Sequence, residues 1–361
     1  MLSPHVAPRS RRTRRSALSA SLAVTVALGL AACGEPEASA EPLPDDATIE
    51  QLYDAAKKEG EVVIYGPTQD QYAGVYEKFE KDYPGVTVTE VDIFGTELDS
   101  RLDAETAAGG PDVDLIQEGV ADVARRAQDG LFAAYLPTTP ADIPAERIGE
   151  DDRWVVVSRG LYGPIYNTDK VAAEEAPTTW DDLTDEKWSG RVGTSDPAQP
   201  GGTTQSLAAA FDAEAIDEGW LSDLNDRVAP RNYPSIAAVV QAVVTGEIDL
   251  GLVASYGTVV QKQNEGAPIA FQALENGSFM LDFGVGVVDG SPHPNAGRLL
   301  ASWLLSDAGQ AAIAEVTYEF GSMPDAPLPP GAEALGEINS LPYPGVGREQ
   351  EVIELVADTF K

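Results

Sequence analysis

From Thr48 onward the apolar positions switch between a period near 3.6 and short continuous runs, a pattern that predicts an α/β fold. Ile49, Leu52, Tyr53 and Ala56 share one helical face. Thr48 and Gln51 stand as a capping-box pair before it, and Gly60 ends it. Residues 62–65 form a buried run of strand length. Tyr72, Val75, Tyr76 and Phe79 stripe a second helix that Pro84-Gly85 closes. Residues 86–92 predict the next strand, 98–108 a helix and 113–116 a third strand. Strands alternating with helices imply a parallel sheet joined by crossovers.

A second unit repeats the alternation. Residues 161–167 read as a strand bent at Gly163-Pro164, and "APTTWDDLTDEKWSGRVGTSDP" leads through a helix to a strand at 191–194. Ser235 caps a helix with Ile236, Val239, Val240 and Val243 on its apolar face, and Gly246 stops it. A strand at 248–253 runs into Ser255-Tyr256. Later come a strand at 285–288 and a helix at 295–305 carrying Leu299, Leu300 and Trp303.

Ligands of open parallel sheets sit beyond the carboxyl ends of the strands. In the first unit those ends offer Thr68, Gln69, Glu97 and Glu118; each could equally be a helix cap or first-turn residue. In the second unit, Gly201-Gly202-Thr203-Thr204 precedes a helix, where free amides and two hydroxyls could cradle an anion or simply cap the helix. Tyr162 and Tyr256 supply phenols near strand ends, and core packing is the alternative reading for both.

The first 32 residues change the picture of where the chain works. Arg9, Arg11, Arg12, Arg14 and Arg15 precede a short apolar stretch, too short for a transmembrane helix, which reads as a secretory signal. Ordinary secretion and twin-arginine export both suit Arg14-Arg15-Ser16-Ala17-Leu18. Leu30-Ala31-Ala32-Cys33-Gly34 resembles a bacterial lipobox, so Cys33, the single cysteine, is expected to carry lipid. Residues 33–46, rich in proline and acid, read as a lipidated tether.

Charge excludes some partners. The chain carries 24 basic and 59 acidic side chains, a net charge of −35. Removing residues 1–32 takes away five arginines and no acids, leaving 19 basic against 59 acidic, a net charge of −40. Such a surface excludes general affinity for nucleic acid or anionic membranes. Catalytic patterns are missing too: there is no G-x-S-x-G, H-E-x-x-H or P-loop, and His293 sits between prolines. Glu97 and Glu118 could form a glycosidase pair, but no aromatic sugar platform accompanies them.

The lipobox, "LYDAAKKEGEVVIYG", "FEKDYPGVTV", "GLYGPIYNTDKV", "TTWDDLTDEKWSGRVGTSDPA", "AAVVQAVVTGEIDLGLV", "NEGAPI" and "HPNAGRLLASWLLSDAGQAAIAE" occur in this order. Together, over about residues 48–325, they resemble the extracellular solute-binding proteins of ABC importers, in the branch that includes the ferric-iron-binding proteins. The resemblance implies a two-lobed periplasmic-binding-protein fold, each lobe a mainly parallel sheet flanked by helices, with a two-strand hinge. It places lobe 1 at 47–158 and 270–316, and lobe 2 at 159–269 and 317–361 with C-terminal helices. It implies a monomer with no cofactor and no enzymatic activity. The receptor is expected outside the cytoplasm, lipid-anchored to the bacterial cell membrane, delivering solute to a membrane-embedded permease.

Iron-binding members of that branch carry two adjacent tyrosines where this chain has Ser255-Tyr256, and a histidine where it has Gln69; their acidic ligand matches Glu118. A serine hydroxyl is a poor ligand for a hard trivalent ion, so both changes favour neutral hydrogen bonding. The expected solute is therefore small, polar and organic, with an anionic group as one form of it. Thr68 and Gln69 would touch it from one lobe, with Glu118 accepting from a donor or ammonium. Thr203, Thr204 and Ser235 would hold an anionic end from the other, with Ser255, Tyr256 and Tyr162 near the hinge. The alternative is ferric iron on Glu118, Tyr162 and Tyr256, and a secreted glycoside-type hydrolase stands third.

Overall fold

The computed structural model describes residues 40–139 and 142–359. The signal at 1–32 and the lipidation site Cys33 lie outside the described residues. Eleven strands are described: β1 Glu61–Gly66, β2 Thr87–Asp92, β3 Leu115–Gly119, β4 Val155–Asn167, β5 Val192–Ser195, β6 Arg231–Tyr233, β7 Leu250–Ser255, β8 Ile269–Phe271, β9 Ser278–Val287, β10 Phe320–Gly321 and β11 Ser340–Leu341. The helices are α1 Ile49–Glu59, α2 Ala73–Asp82, α3 Gly95–Ala108, α4 Val120–Gln128, α5 Gly202–Asp212, α6 Glu218–Asp223, α7 Ile236–Val244, α8 Tyr256–Asn264, α9 Pro294–Leu304, α10 Asp307–Thr317 and α11 Val346–Thr359.

Local chemistry sets the element ends. At α1 the Thr48 hydroxyl accepts from the Gln51 amide at 3.3 Å, and the Thr48 amide donates to the Gln51 side chain at 2.8 Å. Gly60, at φ 82°, then turns the chain out of the helix. The helix expected within 178–188 is instead two 3-10 turns, Asp181–Thr184 and Glu186–Trp188. The Asp182 carboxylate accepts from the Thr178 and Thr179 amides, both at 2.9 Å, and this local bonding competes with a continuous helix.

The sheet runs β2-β1-β3-β9-β4-β7-β5-β6. Its outer pairs on both sides, β2-β1-β3 and β7-β5-β6, are parallel. The middle differs. Long strands β9 and β4 run antiparallel to each other and to their outer neighbours. The upper part of β9 pairs with β3, and the lower part of β4 pairs with β7 and β8. Two strands therefore belong to both halves of the molecule, as a two-strand hinge requires.

Each half buries its sheet on both faces, which is why its strands read as continuous apolar runs. In the first half α1, α2, α9 and α10 cover one face around Phe79, Leu299 and Trp303; α3 and α4 cover the other around Leu98, Val123 and Phe132. In the second half α5, α6 and α11 pack around Trp180, Trp220 and Val352, while α7 and α8 pack around Val240 and Val259. Among the described residues no helix is long and apolar enough to cross a membrane.

Candidate solute site at the shared strands

Alternation along β4 puts Ser158, Gly160 and Tyr162 on one face and Arg159 and Leu161 on the other. Their β9 partners across the ladder, Phe283, Leu281 and Phe279, share the first face. Leu281, Phe283 and Tyr162 are half-buried while Ser158 and Phe279 beside them are fully buried, so the exposed floor of this face is made by those three side chains. Gly160 keeps it shallow: a Cβ there would lie 3.3 Å from the Tyr162 ring and 3.4 Å from the Phe283 ring.

A carboxylate reaches the same floor. Phe320 pairs with Arg159 and Gly321 with Ser158. Continuing that antiparallel register by one residue brings Glu319 opposite Gly160, on the face of Ser158 and Tyr162. The Tyr72 hydroxyl donates to Glu319 Oε2 at 2.5 Å and lies 2.8 Å from Ser158 Oγ. Burial raises the Glu319 carboxyl above its usual range, and the Tyr72 and Ser158 hydrogen bonds pull it back down. Burial also raises Tyr72, with the Glu319 charge next. The Tyr162 phenol is pushed up to about 12, by burial first and then by Glu319, so it is neutral and a donor near pH 7.

The opposite wall is the start of α5. No side chain caps this helix, so its first-turn amides are left open. A Cβ on Gly202 would lie 3.0 Å from the Tyr162 ring and 3.1 Å from Ile236 at the start of α7, so both helix starts converge beside Tyr162. Thr203 Oγ1 lies 2.7 Å from Ser195 Oγ. The Thr204 hydroxyl instead turns into the preceding loop and donates to the Pro197 and Gln199 carbonyls at 3.0 and 2.5 Å.

The other residues expected at the site have varied placements. Thr68 is exposed with φ 57°, and its carbonyl starts the 3-10 turn that carries Gln69 and Tyr72. Gln69 is fully buried and accepts from the Tyr76 hydroxyl at 2.5 Å. Glu118 shares the face of Gly284, not of Phe283, and is held in a buried ion pair with Arg126. Arg126 also reaches Asp99 at 2.9 Å. Ser235 is exposed and caps α7 by accepting from the Ala238 amide at 3.2 Å.

Ser255 pairs with Tyr162 and caps α8, its oxygen 2.8 Å from Thr258 Oγ1 and 3.3 Å from the Thr258 amide. Tyr256 lies on the other face, its ring against Phe271 and Phe320, and its hydroxyl donates to the Pro330 carbonyl at 2.8 Å. Tyr256 also lines a separate cavity of about 380 Å³ with Phe271 and Pro330. The structure thus brings Tyr162, Ser255, Thr203 and the α5 start together, and it does not bring Glu118 or Tyr256 to them. Among the described residues no group of three or more His, Cys, Asp or Glu side chains could hold a metal ion.

Sequence reasoning missed Glu319, Ser158 and Phe283, and it read Tyr72 and Tyr76 only as a helix stripe. The stripe is correct for their rings, since both are buried. A paired hydroxyl was the missing signal: two tyrosines one helical turn apart in a buried stripe need acceptors for their O–H groups. For Glu319 the information lies in the pairing of β10 with β4, which no local pattern carries.

Comparisons with known proteins agree with this architecture. The family described as bacterial extracellular solute-binding protein matches residues 74–339. The iron uptake protein A1 of Synechocystis sp. is 27% identical over 346 residues, covering 91% of this chain and 92% of that protein. A putative 2-aminoethylphosphonate-binding periplasmic protein of Salmonella typhimurium is 23% identical over 246 residues, covering 65% of this chain and 69% of its own. Iron-bound HitA from Pseudomonas aeruginosa superposes with a TM-score of 0.67 at 22% identity, over 83% of this chain and 99% of that one.

Proposed function

Because the chain belongs to the bacterial extracellular solute-binding proteins of ABC importers, we propose that the solute it delivers to its permease is a small polar organic molecule with an anionic end. One observation carries this reading: the uncapped start of α5 lies directly beside the half-buried Tyr162 at the edge of the floor. An anionic group there would accept from the Gly202, Thr203 and Thr204 amides and from the neutral Tyr162 phenol. With a net charge of −35 the protein repels anions at long range, so the attraction must come from these local donors. The Salmonella typhimurium relative, described as binding a phosphonate, supports the same chemistry.

Ferric iron is a second reading, favoured by the described role of the Synechocystis sp. relative. Against it, two of the three side chains weighed for iron are engaged elsewhere: Glu118 by Arg126, and Tyr256 by the Pro330 carbonyl. Lipid on Cys33, anchoring the receptor to the cell membrane, completes the proposal; replacing Cys33 by Ala should release the protein from the membrane fraction or leave it unprocessed.

Titration calorimetry with alkylphosphonates, carboxylates and ferric citrate tests the ligand. Tyr162→Phe should weaken binding of the anionic solute by about 1.5–3 kcal/mol, the scale of one hydrogen bond to a charged group. Tyr256→Phe should leave it unchanged. A coloured, stoichiometric iron complex that Tyr162→Phe bleaches would replace this reading with the iron one.

A further inference from the structure

Glu319 is a carboxylate without a counter-ion. Among the described residues its neighbours are the Tyr72 and Ser158 hydroxyls and the Tyr76 and Tyr162 phenols, none of them cationic. The arginine next to it in the sheet, Arg159, lies on the opposite face and is bonded to Asp282 at 2.7 Å. Asp282 also holds Arg147 at 2.7 Å, so neither guanidinium is free to turn toward Glu319. Desolvating a carboxylate with only hydroxyl donors is costly unless a cation joins it. Oε2 is taken by Tyr72, and Glu319 is only half-buried, so the carboxylate keeps an accessible side for a ligand.

We propose that Glu319 is the ion-pairing residue for a protonated amine carried by the solute, at the end of the floor opposite the α5 start. The proposal rests on the anionic-end reading and extends it: the solute is a small zwitterion, anion toward Gly202 and ammonium toward Glu319. An ammonium has three donors. Glu319 Oε1 supplies an acceptor, while the fully buried Ser158 only holds the carboxylate in place, and the half-buried Tyr162 and Phe283 rings beside Gly160 are the aromatic groups nearest the cation. A metal ion suits the place less well, because among the described residues no group of three or more His, Cys, Asp or Glu side chains gathers there.

The test compares matched probes that differ only in the amine: 2-aminoethylphosphonate against ethylphosphonate, and 3-aminopropionate against propionate, by calorimetry. The unmodified protein should favour the amine-bearing member of at least one pair by about 30-fold, the scale of a hydrogen-bonded ion pair. Glu319→Gln retains the shape and can still accept from Tyr72; it should shrink that preference to within about threefold while the amine-free probe binds as before. Equal binding of both members by the unmodified protein overturns the amine assignment but leaves the anionic end intact. Binding of neither member of either pair overturns both readings. A preference that survives Glu319→Gln, or ferric citrate binding that Glu319→Gln alone removes, also overturns the proposal; the first comparison needs no variant to fold.

Discussion

Replacing Arg126 by Met should destabilise the protein severely without touching the floor. The Glu118 side chain is 3% exposed and that of Arg126 is 4% exposed, so each charge depends on the other for solvation. Asp99, the second partner of Arg126, is 44% exposed and can be rehydrated when the arginine is lost. Glu118 cannot. Removing one member of such a pair costs about 3–5 kcal/mol, against a total stability on the order of 5–15 kcal/mol. Glu118→Gln should cost less, about 1–3 kcal/mol, because Arg126 keeps Asp99. The double variant Arg126→Met with Glu118→Leu replaces both charges by apolar groups and should recover to within about 1 kcal/mol of the parent. Equilibrium urea unfolding reads all three as displaced midpoints at constant slope. The same preparations test function: Glu118→Gln should bind solute as the parent does. If Arg126→Met lies within about 1 kcal/mol of the parent, the ion pair is not structural. If Glu118→Gln abolishes binding at parental stability, Glu118 touches the solute after all.

Two further perturbations follow from strain and charge. Thr68 is β-branched yet sits at φ 57°, ψ 25°, where asparagine is better tolerated, so Thr68→Asn should stabilise by about 0.5–1 kcal/mol in thermal unfolding; an unchanged or lower melting temperature would show that the turn relaxes this strain. His293 is raised above its usual pKa, chiefly by its hydrogen bond to the buried Asp114 carboxylate at 3.0 Å. The bond's contribution is therefore full below about pH 6.5 and fades as pH rises through the raised folded value. The stability gap between the parent and His293→Asn should accordingly shrink as pH rises above about 6.5 through the raised folded value, and a gap that stays constant with pH would contradict the assignment.

The fold was largely legible because its signals are local. Thr48, Gln51 and Gly60 bound α1 through side chains within a turn of the helix end, and the apolar runs of β1 and β3 mark strands buried on both faces. Where a competing local bond decided the outcome, as at Asp182, periodicity gave the wrong element. The shared strands were only partly visible: the 285–288 run is the end of the ten-residue β9, whose lower half is broken by Leu281, Asp282 and Phe283 facing different environments. A strand that leaves one core, crosses an open floor and enters another does not keep one hydrophobic pattern.

The site was harder to read because proximity in sequence and proximity in space part company along a strand. Ser255 and Tyr256 are neighbours in the chain, and the resemblance to iron-binding proteins invites treating them as one unit. The register of β7 against β4 separates them: Ser255 stands beside Tyr162 on the floor, and Tyr256 faces Phe271 and Phe320 behind it. Glu319 makes the converse case. It is 157 positions from Tyr162 in the chain and shares its face because a two-residue strand pairs with β4. Register thus sets a serine beside Tyr162 on one side of the floor and a carboxylate bonded only to hydroxyls on the other. That division is the one the proposed solute bearing both charges would use, and it arises from strand parity rather than from any residue's identity alone.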